Sequence, residues 1–343
     1  MSMERANARF EMTRIAHVVS MSGGKDSTAA AILAIELHGR ENCRFVFADT
    51  GNEHEQTYDY ALHYLPRALG IKVDVVRADF ADEFAAKRAN LERIAAGEPE
   101  SAIYGRRKFM YSWTPEAARR ALDVLHPTGI PYLDLCMVRG GFPSRKRQFC
   151  TQYLKTLPLT AYSLRILDSG TADAVWSWQG VRLDESASRR QRLQGTGACV
   201  RSFEVVGGGI FNYRPILRWN VKDVFQAHEL AGIEANPLYR QGQSRVGCMP
   251  CINCGKDDLR QIAARFPQHI ERIAEWEGLV IQVCRCRSPV SFFHTGTQGH
   301  NGSSSQIHAV VQWARTTRGG RQFDLLADLA EPSSCESAYG LCE

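Results

Sequence analysis

Hydrophobic and polar residues alternate in blocks along the first part of the chain, and the blocks predict strands and helices in turn. Short apolar runs rich in β-branched residues are typical of buried strands, and longer runs with apolar residues at helical spacing are typical of helices. The successive blocks are Ile15 to Ser20, Thr28 to His38, Arg44 to Ala48, Thr57 to Leu69 and Ile71 to Val76. This alternation predicts an α/β fold with a doubly wound, mostly parallel sheet.

The rest of the chain predicts further helices and strands and a C-terminal appendage. The elements are a helical region from Phe80 to Trp113, a strand from Asp173 to Trp178, an edge element from Tyr213 to Ile216, and helices from Trp219 to His228, Asp257 to Phe266 and His269 to Gly278. We therefore expect an α/β domain over residues 1–235, a cysteine-rich α-helical region over 236–294, a flexible linker over 295–305 and a tail over 306–343.

The turn after the first strand has the composition of a phosphate-binding loop. It reads Ser22-Gly23-Gly24-Lys25-Asp26-Ser27. Adjacent glycines let backbone N–H groups face a ligand, and the helix that follows adds its unpaired N–H groups. Lys25 adds a positive charge, and the two serines add hydroxyl donors. The spacing is not that of a Walker A loop. An ordinary glycine turn capped by Asp26 or Ser27 is the alternative.

Two later loops also follow predicted strands, at the edge where open α/β sheets bind ligands. The first contains Asp49, Thr50, Gly51 and Glu53, and the second contains Gly180, Arg182 and Arg189. Asp49 has a simpler alternative role, because an aspartate at this position can cap the turn. An arginine in such a loop can clamp an oxyanion, but Arg189, Arg190 and Arg192 could instead form a solvated helix face.

Three cysteines near the appendage are spaced as metal ligands. Cys248, Cys251 and Cys254 follow one another at two-residue gaps, as in ferredoxin-type cluster loops. An iron–sulfur cluster or a structural zinc ion needs a further thiolate, which must come from elsewhere in the chain. Cys150 lies among basic residues, which favour the thiolate form, although a lone cysteine is often only a small buried hydrophobe. The nearby bases are Arg145, Lys146, Arg147 and Lys155.

Composition and charge narrow the class of protein. A chain of 343 residues with 44% hydrophobic residues is long enough for a large domain and an appendage. A net charge of +5 is too small by itself to indicate nucleic-acid binding. No apolar run approaches the ~18 residues of a membrane span, so we expect a cytoplasmic protein without a membrane partner. In that compartment the eleven cysteines favour metal or redox chemistry over disulfides.

The region from Phe80 to Trp113 mixes basic and aromatic residues, a combination that can bind nucleic acid. Acidic residues between them dilute the positive charge, so the pattern favours ordinary solvated and core helix faces. The bases are Lys87, Arg88, Arg93, Arg106, Arg107 and Lys108, the aromatics are Tyr104, Phe109, Tyr111 and Trp113, and the acids are Glu83, Glu92, Glu98 and Glu100.

Four strings together resemble the PP-loop ATP pyrophosphatases, and in particular their phosphoadenylyl-sulfate reductase branch. They are SGGKDS at residues 22–27, DTGNE at 49–53, FCTQYLKTLP at 149–158 and GVRLDES at 180–186, and the resemblance covers about residues 13–255. It implies an adenine nucleotide α-hydrolase-like fold and a loop that holds the pyrophosphate of ATP while the α-phosphorus is attacked. Lys25, Asp26 and Arg182 would be catalytic. The other residues of the three loops, including Asp49 and Arg189, would contact the nucleotide with Mg²⁺.

The same resemblance implies that Cys150 is the fourth ligand of a 4Fe–4S cluster, with zinc as the alternative. Iron–sulfur reductases of the family carry two adjacent cysteines upstream and a CxxC pair downstream. This chain has one upstream and three downstream, so the partition of ligands differs.

The reductases also use a C-terminal Glu-Cys-Gly-x-His string, which this chain lacks. The resemblance therefore favours an ATP-dependent sulfurtransferase, similar to the DNA-phosphorothioation enzymes, in which an adenylated acceptor is attacked by sulfur carried at the cluster. Phosphoadenylyl-sulfate or adenylyl-sulfate reduction is the first alternative, and a non-catalytic DNA-binding or sensor module is the second. Expected partners are ATP or a sulfonucleotide, a nucleic-acid acceptor, and a cysteine desulfurase or thioredoxin-type donor.

The C-terminal part of the chain has two further features. Cys284, Cys286, Cys335 and Cys342 could form a second site of the zinc type. Arg315, Arg318 and Arg321 form a small basic group that could contact a polyanion.

Overall fold

A six-stranded sheet lies at the centre of the computed structural model, which describes residues 14–105, 109, 111–205, 208–285, 290–293 and 306–316. The strands are β1 (Ile15–Met21), β2 (Cys43–Asp49), β3 (Val73–Arg77), β4 (Ala174–Trp178), β5 (Cys199–Val205) and β6 (Gly208–Tyr213). Their order is β3-β2-β1-β4-β6-β5, and each neighbouring pair is parallel except β5 and β6. The predicted doubly wound, mostly parallel sheet is confirmed.

The strand order places a topological switch point beside β1. The chain moves from β1 outward to β2 and β3, and then returns to the other side of β1 with β4. Val19 of β1 is in register with Phe45 of β2 and with Trp178 of β4, so the carboxyl ends of the three strands lie at one edge. The loops after these strands therefore meet where α/β folds bind ligands.

Fifteen α-helical segments occur in the described residues. They are α1 (Lys25–His38), α2 (Glu55–Asp59), α3 (Leu65–Leu69), α4 (Ala81–Ala95), α5 (Glu100–Tyr104), α6 (Pro115–Val124), α7 (Pro131–Arg139), α8 (Phe149–Thr151), α9 (Leu157–Asp168), α10 (Ala187–Leu193), α11 (Val221–Leu230), α12 (Pro237–Arg240), α13 (Lys256–Arg265), α14 (Pro267–Gln282) and α15 (Ile307–Arg315). Wider π-type turns over Tyr60–Tyr64 and Gln152–Thr156 join α2 to α3 and α8 to α9.

Alternate residues of the strands pack into two cores, because successive side chains of a strand point to opposite faces. Val19, Phe45 and Phe47 join one core with residues of α1. Val18 and Val46 join another with residues of α9. The sheet is therefore covered on both faces, as its apolar strands require.

The appendage shares a third core with the middle of the chain. Residues of α13, α14 and α15 pack with residues of α4, α6 and α7 in one continuous buried cluster. Side chains from residues 80–154 and from residues 238–314 thus stabilise one another. No helix among the described segments is long and apolar enough to span a membrane.

The prediction of an edge element from Tyr213 to Ile216 is wrong. β6 ends at Tyr213 and lies between β4 and β5, and the edge strand is β5, which the sequence did not predict. Gly208 and Gly209 explain the error, since glycines remove the alternating side chains by which a strand is recognised. A Cβ at Gly208 would lie 1.7 Å from the Asp173 carbonyl oxygen, so close backbone approach requires glycine there.

Candidate functional site

The loop between β1 and α1 forms a tight cradle. Gly23 has a φ of +79°, and a Cβ there would lie 2.9 Å from Cγ2 of Thr57, so both conformation and space favour glycine. α1 begins at Lys25, three residues before the apolar run that starts at Thr28. The hydroxyls of Ser22 and Ser27 lie 2.9 Å apart, and Ser27 donates to the Gly24 carbonyl at 3.0 Å. The strand, turn and helix thus lie as a phosphate-binding loop needs.

Residues more than 200 positions downstream hold this cradle in place. Asn236 Nδ2 donates to the Gly23 carbonyl at 3.1 Å, and His228 Nε2 donates to the Lys25 carbonyl at 2.8 Å. The Lys25 amide donates to the Tyr239 hydroxyl at 3.1 Å, and Nζ of Lys25 lies 5.2 Å from the centre of the Tyr239 ring. No local sequence pattern marks these three residues as part of the site.

Asp26 and Arg182 form a buried ion pair at the start of α1. Nε of Arg182 donates to Oδ1 of Asp26, and Nζ of Lys25 lies 3.2 Å from the other carboxylate oxygen. Gly180 allows this contact, because a Cβ there would lie 2.5 Å from the Asp26 carbonyl carbon. Three predicted residues are therefore brought together, with Asp26 between two cations.

The loop after β2 is a hydrogen-bonded network. Asp49 accepts from the Gly51 amide at 2.9 Å and from the Tyr58 hydroxyl at 2.6 Å, so it occupies the turn-capping role that was its simpler alternative. Glu53 accepts from the Thr50 hydroxyl at 2.7 Å. Burial first, and then Glu53 and Asp49, raise the pKa of Tyr58 well above its ordinary value, which keeps this hydroxyl a donor.

A pocket opens between these loops at the carboxyl edge of the sheet. Its lining includes four of the predicted nucleotide-binding residues, Ser22, Ser27, Glu53 and Gly180, and we call it the nucleotide pocket. Asp49, Thr50 and Gly51 are not in its lining, and Thr50 lines the second pocket described below. Arg189 is fully buried in an ion pair with Glu185, whereas Arg190 and Arg192 form the exposed face of α10.

A second pocket brings three of the four predicted cysteine ligands together. Cys150, Cys248 and Cys251 line it, with Thr50, Tyr132 and Lys155 among their neighbours, and we call it the cysteine pocket. Cys254 is buried beside it and donates its amide to the Cys251 carbonyl at 3.0 Å. Burial first, and then Cys251, raise the pKa of Cys150 to about 12. Burial likewise raises the pKa of Cys248 and Cys254, so binding of a metal centre must displace thiol protons.

The donor set of these thiols fits either a four-iron cluster or a tetrahedral zinc ion, since both are held by four thiolates. Tetrahedral zinc with Zn–S bonds of about 2.3 Å would hold its sulfurs about 3.8 Å apart, whereas within the described part of the chain no three cysteine sulfurs lie within 4.8 Å of one another.

His54, Glu55 and His269 do lie within that distance of one another. However, Nδ1 of His54 accepts from the Gln56 amide at 3.0 Å as the cap of α2. The ring proton is then on Nε2, the nitrogen that faces Glu55. This trio is therefore better suited to hydrogen bonding than to holding a cation.

Lys155 lies between the two pockets and lines both of them. Burial alone would lower its pKa, but Cys248, Glu53, Cys251 and Cys150 together raise it above its ordinary value, so it remains an ammonium. From the sequence, Lys155 is only one of several bases near Cys150. Its position between the pockets follows from the turn over Gln152–Thr156, which no local pattern predicted.

Direct contacts fix the cysteine loop against the loop after β2. The Met249 amide donates to the Asn52 carbonyl at 2.8 Å, and Asn52 Nδ2 donates to the Pro250 carbonyl at 3.1 Å. Arg272 of α14 donates through Nη2 to Oδ1 of Asn52 and to the Met249 carbonyl, at 2.9 and 2.8 Å. Sγ of Cys248 lies 3.6 Å from Oε1 of Glu53. The two pockets are thus held as neighbours.

This pair of pockets can be compared with known families. The phosphoadenosine phosphosulfate reductase domain matches residues 16–97 and 137–254, more than half of the chain. The chain belongs to this family. The matched residues include the lining of the nucleotide pocket and, apart from Tyr132, that of the cysteine pocket, and the expected family is confirmed.

Individual relatives differ in how much of the chain they match. An uncharacterized 37.8 kDa protein of Escherichia phage 186 is 42% identical over 95% of this chain and 96% of its own length. An adenosine 5'-phosphosulfate reductase of Neisseria meningitidis is 32% identical, over 32% of this chain and 41% of the reductase. Among solved structures, phosphoadenylyl-sulfate reductase from Candida auris has a TM-score of 0.35 at 14% identity, over 68% of this chain and 81% of that chain. The U34-tRNA thiolase NcsA of Methanococcus maripaludis, solved with its 4Fe–4S cluster, has a TM-score of 0.34 at 13% identity, over 90% of this chain and 83% of that chain.

Several predicted features lie outside the described residues. They are Arg106, Arg107 and Lys108, Cys286, Cys335 and Cys342, Arg318 and Arg321, and the linker over residues 295–305. Cys284 is described and half-buried, and Arg315 is exposed at the end of α15.

Proposed function

We propose that the protein transfers sulfur in an ATP-dependent reaction, with adenylation of an acceptor at the nucleotide pocket and sulfur delivered from the cysteine pocket. The observation that carries the proposal is the shared wall of the two pockets, because Lys155 lines both. A nucleotide site and a thiolate site with one charged residue in common are suited to passing a reacting group from one to the other.

The PP-loop residues would act on ATP. The N–H groups at the start of α1 and the ammonium of Lys25 would stabilise the pyrophosphate as an acceptor oxygen attacks the α-phosphorus and the bond to pyrophosphate breaks. Asp26 and Arg182 would hold the loop in this position through their buried ion pair. Glu53 is the carboxylate in the pocket lining, and it is available to the Mg²⁺ that accompanies the phosphates.

The thiols of the cysteine pocket suit an iron–sulfur cluster, for which Cys150, Cys248 and Cys251 are three candidate ligands and Cys254 is the proposed fourth. When bound, the cluster would supply the site that carries sulfur at the sulfide level. Lys155 would offset the negative charge of thiolates and of the reacting phosphate. Displacement of AMP by sulfur would then remove the activated oxygen from the acceptor. A cysteine desulfurase would supply the sulfur as a persulfide, and a thioredoxin-type protein would supply the two electrons that bring this sulfur to the sulfide level.

Product analysis of ATP cleavage tests this proposal. Anaerobically purified protein, supplied with ATP, Mg²⁺, sulfide and candidate acceptors, is expected to form AMP and pyrophosphate in equal amounts. Lys25→Ala should lower the rate by at least about 100-fold, the scale of losing one charge-stabilising group. Lys72→Ala is the matched control, because Lys72 is 90% exposed and directly precedes the edge strand β3, at the end opposite the carboxyl edge of the sheet.

Equal AMP formation by Lys25→Ala and the wild type would rule out the PP-loop assignment. Absence of turnover with every acceptor would favour a non-catalytic sensor or DNA-binding module.

Reduction of a sulfonucleotide is the second candidate, and it is favoured by the family match and by the partial similarity to adenosine 5'-phosphosulfate reductase. A reductase needs a thiolate that attacks the sulfur of the bound sulfonucleotide. Thioredoxin-dependent sulfite release that disappears in Cys335→Ser or Cys342→Ser would establish this candidate. The sulfurtransferase proposal expects both variants to retain ATP cleavage.

A further inference from the structure

A large groove lies behind the wall of the cysteine pocket and has no role in the chemistry described above. Its volume is about 660 Å³, within the range of about 300–1,000 Å³ typical of ligand sites. It is bounded by α4, the end of α7 and the residues that follow α14. Its walls carry five aromatic side chains, those of Phe80, Tyr104, Phe109, Trp113 and Tyr153, and two arginines, Arg139 and Arg285.

The arginines and the rings of this groove are paired. The guanidinium carbon of Arg139 lies 4.4 Å from the centre of the Tyr153 ring. That of Arg285 lies 3.4 Å from the Phe109 ring and 4.9 Å from the Tyr104 ring. Such pairs offer a flat surface for a planar base and a charge for a phosphate in the same place. Phe109 is 40% exposed and Arg139 is also exposed, so both are accessible to a ligand.

Lys87 gives the groove a fixed floor. Its Nζ donates to three carbonyl oxygens, those of Met137, Val138 and Val283, at 2.7, 3.2 and 2.8 Å. These bonds tie α4 to the ends of α7 and α14. Because these bonds fix three segments of the groove lining relative to one another, they lower the entropic cost of ordering the groove around a ligand.

Two arginines, Arg139 and Arg285, give the groove positive charge, and the carboxylate in its lining is Glu83. Nε of Arg285 also lies 3.4 Å from Oε1 of Glu100, so the exposed Arg139 is the cation most available to an anion. A phosphate backbone is the anion that such cations, interleaved with aromatic rings, commonly bind. Tyr104, Phe109 and Trp113 converge on this cavity with Arg139, Tyr153 and Arg285 from other parts of the chain. Ordinary solvated and core helix faces over residues 80–113 do not account for this convergence.

The groove is also close to the reactive pockets. Tyr153 lines the groove, whereas the next two residues, Leu154 and Lys155, line the cysteine pocket. Consecutive residues of the turn over Gln152–Thr156 therefore line the two cavities, and a helix with side chains is about 10–12 Å across. A strand anchored in the groove could place a neighbouring nucleotide at the mouth of the reactive pockets.

We propose that this groove binds single-stranded nucleic acid, with a base stacked on the rings of Phe109 and Tyr153 and phosphates held by Arg139 and Arg285. The binding itself stands on the groove alone. The further step, that the bound strand is the sulfur acceptor, rests on the function proposed above.

Binding of fluorescently labelled oligonucleotides to the full-length protein tests this site. Single-stranded RNA, single-stranded DNA, duplex DNA and a free mononucleotide are compared by anisotropy at several salt concentrations. The single strands are expected to bind more tightly than the duplex and the mononucleotide. Phe109→Ala should weaken single-strand binding roughly 5- to 150-fold, the range for loss of one stacked base. Arg139→Ala should also weaken it and lower the salt slope by about one.

Arg201→Ala is the matched control. Arg201 also lies over an aromatic ring, 5.1 Å from the centre of Phe211, but it is on the edge strand β5, outside the groove lining. This control should bind like the wild type. Equal binding by Phe109→Ala, Arg139→Ala and the wild type would overturn the proposal, as would a wild type that binds no single strand or prefers the free mononucleotide.

Photocrosslinking identifies the occupant directly. Phe109 is replaced by p-benzoylphenylalanine, and the crosslinked species are identified by mass spectrometry in the presence of the oligonucleotide. Attachment to the oligonucleotide supports the proposal, and attachment only to residues 317–343 of the same chain, or to a second copy, contradicts it. ATP binding and visible absorption are recorded on the same samples. If the groove binds no oligonucleotide while ATP binding and visible absorption persist, the groove proposal fails and the proposed function stands. If the oligonucleotide binds while ATP binding and visible absorption are absent, the groove proposal stands and the proposed function fails.

Discussion

At the scale of single residues, the site depends on two backbone segments that approach each other closely. The loop after β4 reaches the start of α1 at Gly180, and this approach lets Arg182 pair with Asp26 in a buried position. A buried carboxylate needs such a partner, because an unpaired charge in the interior is costly. The nucleotide pocket therefore depends on the close approach of Gly180 to Asp26 as well as on the conformation of the PP-loop.

Gly180→Ala should disturb the nucleotide pocket without unfolding the protein. The new Cβ would lie 2.5–2.6 Å from backbone atoms of Asp26 and Ser27, so one of the two segments must shift. We expect ATP affinity to fall by at least about tenfold, since a tenfold loss needs only about 1.4 kcal/mol. Gly278→Ala in α14 is the control, because nothing lies within 4 Å of its Cβ position. Isothermal titration with ATP checks this, and unchanged affinity in Gly180→Ala would show that the close approach is unimportant.

Substitution of single cysteines should distinguish the ligands of the proposed cluster from cysteines that do not bind it. Cys150→Ser and Cys251→Ser remove thiols that line the cysteine pocket, so both should lose most of the iron and acid-labile sulfide of the anaerobically purified protein. Cys254→Ser should do the same if the loop supplies three ligands. Cys199→Ser is the control, because Cys199 is exposed on β5. Iron and sulfide analysis decides the matter, and full iron content in Cys150→Ser would exclude Cys150 as a ligand.

At the scale of elements, the strands and helices that follow local patterns were predictable. β1, β2 and the helix after the PP-loop have clear periodicity and turn residues, and the structure places them within a few residues of the expected bounds. β5 was missed because the glycines of β6 hide the hairpin pattern. The contacts of His228, Asn236 and Tyr239 with the cradle could not be predicted, since they join residues more than 200 positions apart through tertiary packing.

The central strand should make stability depend on pH. His17 of β1 is buried and accepts from Nε1 of Trp178 at 3.1 Å. Burial first, and then the neighbouring His38, lower its pKa to about 4. The unfolded chain protonates near pH 6.5, so between about pH 6.5 and 4 the unfolded state binds more protons. The stabilisation is thus complete above about pH 6.5 and is lost as pH falls toward 4, by up to roughly 3 kcal/mol.

Urea unfolding of His17→Gln at neutral pH and at about pH 4.5 checks this expectation. Glutamine retains an acceptor for the Trp178 N–H but does not titrate, so the loss of stability on acidification should be smaller in the variant. His63→Gln is the control at an exposed histidine. An equal loss in His17→Gln and the wild type would mean that another group carries the pH dependence.

At the scale of the whole molecule, the appendage brings the cysteines to the nucleotide. α14 supplies Arg272, which binds both Asn52 and the Met249 carbonyl, and the buried cluster of the appendage includes residues of α4, α6 and α7. The sequence predicted both a nucleotide loop and a cysteine loop but not the distance between them. That distance is set by the packing of the third core, and Lys155 occupies the place where the two sites meet.

The nucleotide pocket and the cysteine pocket are proposed to form one site, and a spectroscopic titration can detect the coupling between them. Anaerobically purified protein with a reduced cluster is titrated with Mg²⁺ and ATP, and the electron paramagnetic resonance spectrum is recorded. ATP bound in the nucleotide pocket should change the cluster spectrum of the wild type, because Lys155 responds to charge in both pockets. Lys155→Met should still bind ATP but show little of this change. If the protein contains iron and binds ATP, yet has the same spectrum with and without the nucleotide, the two pockets do not form one site.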